Sequence, residues 1–494
     1  MSNPVAHYVK VGALPDVAAF RAALDRLGLN LPCDAQVENG STSPLGQPVS
    51  AGRLRIGNRF AIHPMEGWDG EPDGTPSEHT RRRWRRFGQS GAKLIWGGEA
   101  VAVCPSGRAN PNQMVLTEAT LGAIAALRET VLQAHREATG STAGLITGLQ
   151  LTHSGRYCRP TRKDLPEPRI VFRHPILDRR LGLSADYPVL TDGELRALVE
   201  DYGRAAELAA RAGFDFVDIK HCHGYLGHEL LGAHTRPGDY GGPFENRTRF
   251  LREVIQVVRS RAPSLEIGVR LSAFDLVPFR PDPERSTPGQ PGPGVPETCP
   301  TPYLFGFGVN PQDPVQYDLT ETLQLCELLQ SWGVRLINVT AGSPYYNPHI
   351  QRPALYPPSD GYLPPEDPLV GVHRQMEVCR QLKARFPGLI VVGTAYTYLQ
   401  EFLPHVAQGA VRAGWTDCVG LGRMALSYPE LPNDVLSGRG LQKKRLCRTF
   451  SDCTTGPRNG LISGCYPLDP YYRDSPLRAQ LAAIKQRMRG AGNA

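Results

Sequence analysis

From residue 53 onward, short apolar runs rich in β-branched residues alternate with longer stretches of helical period. The apolar runs fall at 59–65, 92–103, 144–153, 214–222, 266–273, 335–342, 389–395 and 417–424. Helical periodicity occupies, among others, 116–137, 192–212, 244–261, 318–332, 366–386 and 399–409. Strand-length runs alternating with helices predict parallel strands joined by crossover helices. Eight such units predict a closed (β/α)8 TIM barrel, with an open doubly wound sheet as the alternative. A chain of 494 residues would otherwise suggest about three average domains. The alternation gathers most of it into one barrel, 53–438. An N-terminal extension (1–52), a Pro/Gly-rich insertion after the fifth strand (278–314) and a C-terminal tail (439–494) account for the rest.

Composition narrows the function classes. Hydrophobic residues make up 40% of the chain, yet no run approaches the roughly 18 apolar residues of a membrane span. Residues 1–10 lack the apolar core of a secretory leader. Eleven scattered cysteines read as reduced thiols, so a cytoplasmic location is expected. The net charge of +7 is mild for this length, and the basic run Arg81-Arg82-Arg83-Trp84-Arg85-Arg86 has no nucleic-acid-binding motif beside it. It predicts a helix whose arginines are solvated or contact anions.

Barrel chemistry collects at the C-terminal ends of the strands. Here those ends are polar and largely cationic: His63-Pro64-Met65-Glu66, Gln150 through Arg156, Lys220-His221-Cys222-His223-Gly224-Tyr225, Arg270, Asn338 through Gly342, Gly393-Thr394 and Gly420-Leu421-Gly422-Arg423. Glycines at the seventh and eighth ends let backbone N–H groups approach a phosphate, and a following helix start adds favourable partial charge. Arg423 can hold such a dianion through two N–H groups.

The segments Asn58-Arg59-Phe60…Pro64-Met65, Gln150-Leu151-x-His153-x-Gly155-Arg156, His223-Gly224-Tyr225-Leu226, Tyr240-Gly241-Gly242-x-x-Glu245-Asn246-Arg247 and Gly422-Arg423 resemble the Old Yellow Enzyme family of flavin oxidoreductases. The likeness runs from about Arg53 to Leu436, and is nearest to the barrel of 2,4-dienoyl-CoA reductase and trimethylamine dehydrogenase-like proteins. It implies non-covalent FMN, reduction by NAD(P)H, and hydride transfer from the flavin to an activated alkene. Carried over by position, Pro64, Met65 and Ala100 line the flavin ring, and Gln150 meets its pyrimidine edge. Arg270 faces N1 and O2, and Gly393, Gly422 and Arg423 take the phosphate. Tyr225 is the proton donor, and His223 is one of two groups that polarise the substrate oxygen.

Lys220 stands where the family has the other such group, a histidine. A lysine there points to an anionic substrate or intermediate, and Asp218 or Glu99 are candidate partners for it. Glu66 stands where relatives have a small residue or cysteine; it could tune the flavin or pair with Lys220. The alternatives are a flavin-free barrel lyase or aldolase using Lys220 as a Schiff base, and a non-catalytic flavin binder. His221, Cys222, His223 and His228 do not make a metal set, because neighbours on a strand point oppositely. Relatives also carry a 4Fe–4S cluster in the tail, which needs four cysteines. Only Cys447, Cys453 and Cys465 are present, with Phe450 at the second ligand position, so a tail packed on the barrel without a cluster is expected. The expected partner is a small molecule, with neither nucleic acid nor membrane, and a homo-oligomer is left open.

Overall fold

The computed structural model describes residues 4–490. Eight parallel strands close into a barrel. They are β1 (Phe60–Ile62), β2, β3 (Ile146–Thr152), β4 (Phe216–His221), β5 (Glu266–Ser272), β6 (Leu336–Thr340), β7 (Ile390–Gly393) and β8 (Cys418–Leu421). β2 is broken into Leu94–Ile95 and Ala100–Ala102, and both pieces pair with β3. Closure is made by Gly420 beside Ala61, while Lys220 and Asn338 flank Arg270 in register. The strands are buried almost throughout, as expected of a parallel sheet covered by helices. The open doubly wound alternative is excluded by the β8–β1 pairing.

Each strand feeds a helix on the outside. The helix Asp192–Arg211 begins where Thr191 and Glu194 form a reciprocal capping box. Residues 116–120 fall outside their predicted helix, which starts at Leu121. Residues 422–424 do not extend β8, because a short helix begins at Arg423.

The N-terminal extension serves the barrel at two places. A hairpin of Val49–Ala51 and Leu54–Ile56 packs Ala51, Leu54 and Ile56 against Ala61, Leu94, Ile146, Phe216, Leu336 and Ile390. It thereby plugs the end opposite the strand C-termini. The helix Val17–Arg26, capped by Asp16, stacks Phe20 on Phe402 at 4.5 Å between ring centres.

The insertion 278–314 is more ordered than its composition suggests. Phe279–Pro281 pairs antiparallel with Gly294–Pro296, and Tyr303 and Phe307 are buried. Its aromatics pack beside Phe172 and His174, and Glu297 pairs with Arg179 and Arg180.

The arginine run lies on the helix Glu78–Gly88, as the sequence suggests, but much of it faces inward. Arg83 is buried between Asp69 and Glu99, at 2.6 Å and 2.5 Å. Arg82 grips the buried Asp469 of the tail through two 2.9 Å hydrogen bonds and lies 4.2 Å from the Tyr471 ring centre. Only Arg85, of the arginines paired here, makes an ordinary surface contact, to Glu137 at 3.4 Å. Arg82→Ala is therefore expected to loosen the tail: limited proteolysis should cut beyond residue 440 faster, while far-ultraviolet circular dichroism keeps the barrel signal. Unchanged cleavage would show that the clamp is not needed. Among the described residues no helix is long and apolar enough to cross a membrane.

Candidate active site

A cavity of about 240 Å³ opens at the C-terminal mouth of the barrel. Pro64, Met65, Gln150, Lys220, His223, Tyr225, Arg270, Gly422 and Arg423 all line it, although they come from five different strands. Ala100 and Gly393 do not. The Ala100 carbonyl accepts from Gln113 at 2.9 Å, and a Cβ on Gly393 would lie 3.1 Å from Thr416. Strand geometry turns Gly393 into that packing, and Thr394 and Ala395 reach the wall instead. No residue of 278–314 lines the cavity. Its roof comes from the loop after β6, through Tyr345, Gln351 and Arg352, and from the tail, through Cys453, Thr454 and Arg458. The tail's share in the wall is a correction to a merely packed appendage.

The floor is a hydrogen-bond network centred on Asp218. Its carboxylate accepts from Gln150 (2.6 Å), Trp96 (2.7 Å) and the Arg270 backbone N–H (2.6 Å). Burial raises its pKa to about 6 against these donors. The Arg270 guanidinium donates to the Pro64 carbonyl at 3.2 Å, and its Nε is buried without a partner. Burial also lowers the Arg270 pKa. His63 and Asn338 meet at 3.1 Å and leave His63 Nε2 and Asn338 Oδ1 unpartnered. The His63 ring lies where a Cβ on Gly420 would be, at 2.1 Å, so a glycine is required there.

Beside the floor stands an acid–base group. Tyr225 donates to Glu66 at 3.0 Å and its hydroxyl lies 3.0 Å from that of Tyr345. Lys220 pairs with Glu66 at 3.3 Å and sits 3.7 Å from the Tyr225 ring centre. Trp68 donates to Glu66 at 2.6 Å. The partner of Lys220 is thus Glu66, not Asp218 or Glu99; Glu99 is committed to Arg83. Burial, then Glu66 and Tyr345, push the Tyr225 phenol well above its ordinary pKa, so it holds its proton. Burial, then Arg270 and Lys220, hold His223 well below the usual histidine range, so its ring is neutral.

His223 has a left-handed backbone, φ 67°, which breaks strand alternation. Its ring enters the cavity, 3.3 Å from Thr340, while His221 lies outward beside Phe250. His228 accepts from the Gly224 N–H at 2.9 Å. These side chains diverge because the chain turns at 223. Among the described residues no group of three metal-ligand side chains converges. In the tail, Phe450 is exposed and packs on Tyr356 with ring centres 5.4 Å apart.

Residues 44–282 match the model of the NADH:flavin oxidoreductase / NADH oxidase family. Over that stretch, just under half of its length, the chain is similar to this family. A NADPH dehydrogenase of Bacillus subtilis is 30% identical over 234 residues, 46% of this chain and 63% of that one. A 12-oxophytodienoate reductase of Oryza sativa is 29% identical over 245 residues, 49% of this chain and 61% of that one. The NADH:flavin oxidoreductase FG08077 of Gibberella zeae is 28% identical over 258 residues, 49% of this chain and 54% of that one. The matches thus span between half and two thirds of these relatives. A morphinone reductase solved with tetrahydroNAD shares the fold, with a TM-score of 0.52, 23% identity and coverage of 81% of this chain and 92% of that one. So does a 2-naphthoyl-CoA reductase complex, at 0.62 and 18%, covering 87% and 57%.

The cofactor of that family, FMN, can be tested against the residues of this chain. One end of the cavity offers unpartnered guanidinium N–H groups on Arg423 and Arg352. The middle offers Arg270 Nε and His63 Nε2. Above Gly422 a Cβ would touch nothing nearer than His63, at 4.0 Å, so space remains over that backbone. Donors along the floor with a cationic end suit a flavin mononucleotide. Sequence reasoning missed Arg352, Tyr345 and Trp68. Tyr345 follows the β6 end and was open to the strand-end rule, whereas nothing local marks Arg352.

Proposed function

We propose that the protein is an FMN-dependent oxidoreductase that takes reducing equivalents from NAD(P)H and reduces an activated unsaturated small molecule. The observation that carries this reading is the convergence of Gln150, Arg270, His223, Tyr225 and Arg423 on one cavity at the barrel mouth. Bound FMN would supply a two-electron carrier that accepts hydride from a nicotinamide and passes it to a substrate.

Gln150 and Arg270 would hold the polar edge of the ring; Asp218 accepts from the Gln150 side chain and from the Arg270 backbone N–H, and the Pro64 carbonyl accepts from the Arg270 guanidinium. The Arg270 charge favours a reduced, negatively charged ring. Gly422 and Arg423 would hold the phosphate. Neutral His223 offers a hydrogen bond to a substrate oxygen, an oxyanion-type polarisation. Tyr225 keeps a proton at its hydroxyl, ready for the substrate carbon beside the one reduced. Glu66 and Tyr345 fix the direction of that hydroxyl.

The expectation of an anionic substrate rested on Lys220 as an uncompensated charge. Glu66 compensates it at 3.3 Å. The geometry therefore favours a neutral, polarised substrate such as an unsaturated carbonyl compound. A Schiff-base role for Lys220 fits poorly, since that chemistry uses an unpaired amine.

The test is an anaerobic spectrum of the purified protein. The expected result is a flavin spectrum, FMN released on denaturation, and bleaching by NADH or NADPH. A colourless protein that takes up no added FMN would overturn the reading. Bound FMN that neither nicotinamide bleaches would leave only a flavin binder.

A further inference from the structure

We propose that Arg352 is a second phosphate-binding arginine beside Arg423, and that the C-terminal tail takes part in the cofactor site by aiming it. The inference rests on the FMN reading above and extends it to a loop and a tail outside the barrel strands.

Arg352 and Arg423 both line the cavity. Arg423 donates to the carbonyl of Pro353 at 3.0 Å, the residue next to Arg352, which ties the two together. That contact leaves Arg423 Nη1 unpartnered. Arg352 spends only Nη1, on the Thr454 hydroxyl of the tail. Its Nε and Nη2, one edge of the guanidinium fork, are shielded from water without a partner. The third arginine of the corner, Arg458, is committed: it donates to Asp360 at 2.6 Å and to the Pro344 carbonyl at 2.8 Å. Three guanidinium groups thus share one carboxylate. Unpaired buried charge is costly, and a phosphate monoester, carrying about −1.5 to −2 charge, restores the balance. The Nε–Nη2 edge matches two phosphate oxygens. Burial, then Arg423 and Arg458, lower the Arg352 pKa to about 9, as expected of a cation lacking its counter-charge.

Thr454 gives the tail its part. Ser451 donates to the Tyr356 carbonyl at 2.6 Å, and the Ser359 N–H donates to Thr455 at 3.2 Å, so the tail is fastened along the loop that carries Arg352.

The test compares FMN with riboflavin, which lacks the phosphate. Flavin-stripped wild-type, Arg352→Ala, Arg352→Lys and Thr454→Val proteins are titrated with each, following flavin fluorescence. Arg352→Ala is expected to weaken FMN about 10-fold to 100-fold, the scale of hydrogen bonds to a charged group, with riboflavin within about twofold. Arg352→Lys and Thr454→Val should give smaller losses, again confined to FMN. Equal loss for both flavins, or none for either, in Arg352→Ala overturns the inference. If Arg352→Ala does not fold, unchanged FMN selectivity in both Arg352→Lys and Thr454→Val does so. Wild-type protein that binds FMN no better than riboflavin also overturns it. Wild-type protein that binds neither flavin removes the FMN reading itself.

Discussion

Replacing Tyr225 with phenylalanine is expected to slow substrate reduction by about 10²-fold to 10⁴-fold, the range of a general acid. The reason is local. Tyr225 is buried and carries its proton between Glu66 and Tyr345, at 3.0 Å from each. Removing the hydroxyl removes the proton and little else, since Glu66 keeps Lys220 and Trp68 as partners. Rapid-mixing kinetics separate the two half-reactions. Flavin reduction by NAD(P)H should change little, because it needs no proton from Tyr225, whereas reoxidation by an unsaturated carbonyl substrate should carry the loss. An unchanged reoxidation rate would remove Tyr225 from the chemistry.

The largest effect on stability is expected at the buried Arg83. Arg83→Met should cost about 3–5 kcal/mol, because it strands Asp69 and Glu99 in the interior. Burial already raises the Glu99 pKa to about 7, while Arg83 opposes that rise. Without the guanidinium Glu99 rises further above its unfolded value, and Asp69, which Arg83 helps to hold below its own, rises as well. Groups raised on folding lose stability as pH increases, so the deficit should be smallest in acid and grow through neutral pH. Urea unfolding at several pH values measures this. Arg85→Ala, at an exposed pair on the same helix, should stay within about 0.5 kcal/mol. Equal costs at the two positions would contradict the buried network.

Much of this was legible in the sequence. Periodicity placed all eight strands, because parallel strands covered by helices must be apolar on both faces. Of the eleven site residues that the strand ends and the family resemblance together suggested, nine lie on the cavity wall. Ala100 and Gly393 lie off that wall, and beside Gly393 it is Thr394 and Ala395 that reach it. Sequence alone left Asp218, Glu99 and Glu66 all open as partners of Lys220, since Glu66 lies 154 positions away and only the fold brings the two together.

The amino-acid order alone determined the (β/α)8 barrel, the face that carries the site, and the residue types gathered there, because each follows from local period and position on a strand. The tertiary structure alone decided the charge pairing and the roof. Whether Lys220 is compensated, whether Arg83 faces inward, and whether Arg352 and Thr454 reach the cavity all depend on contacts between segments distant in sequence, which no local pattern encodes.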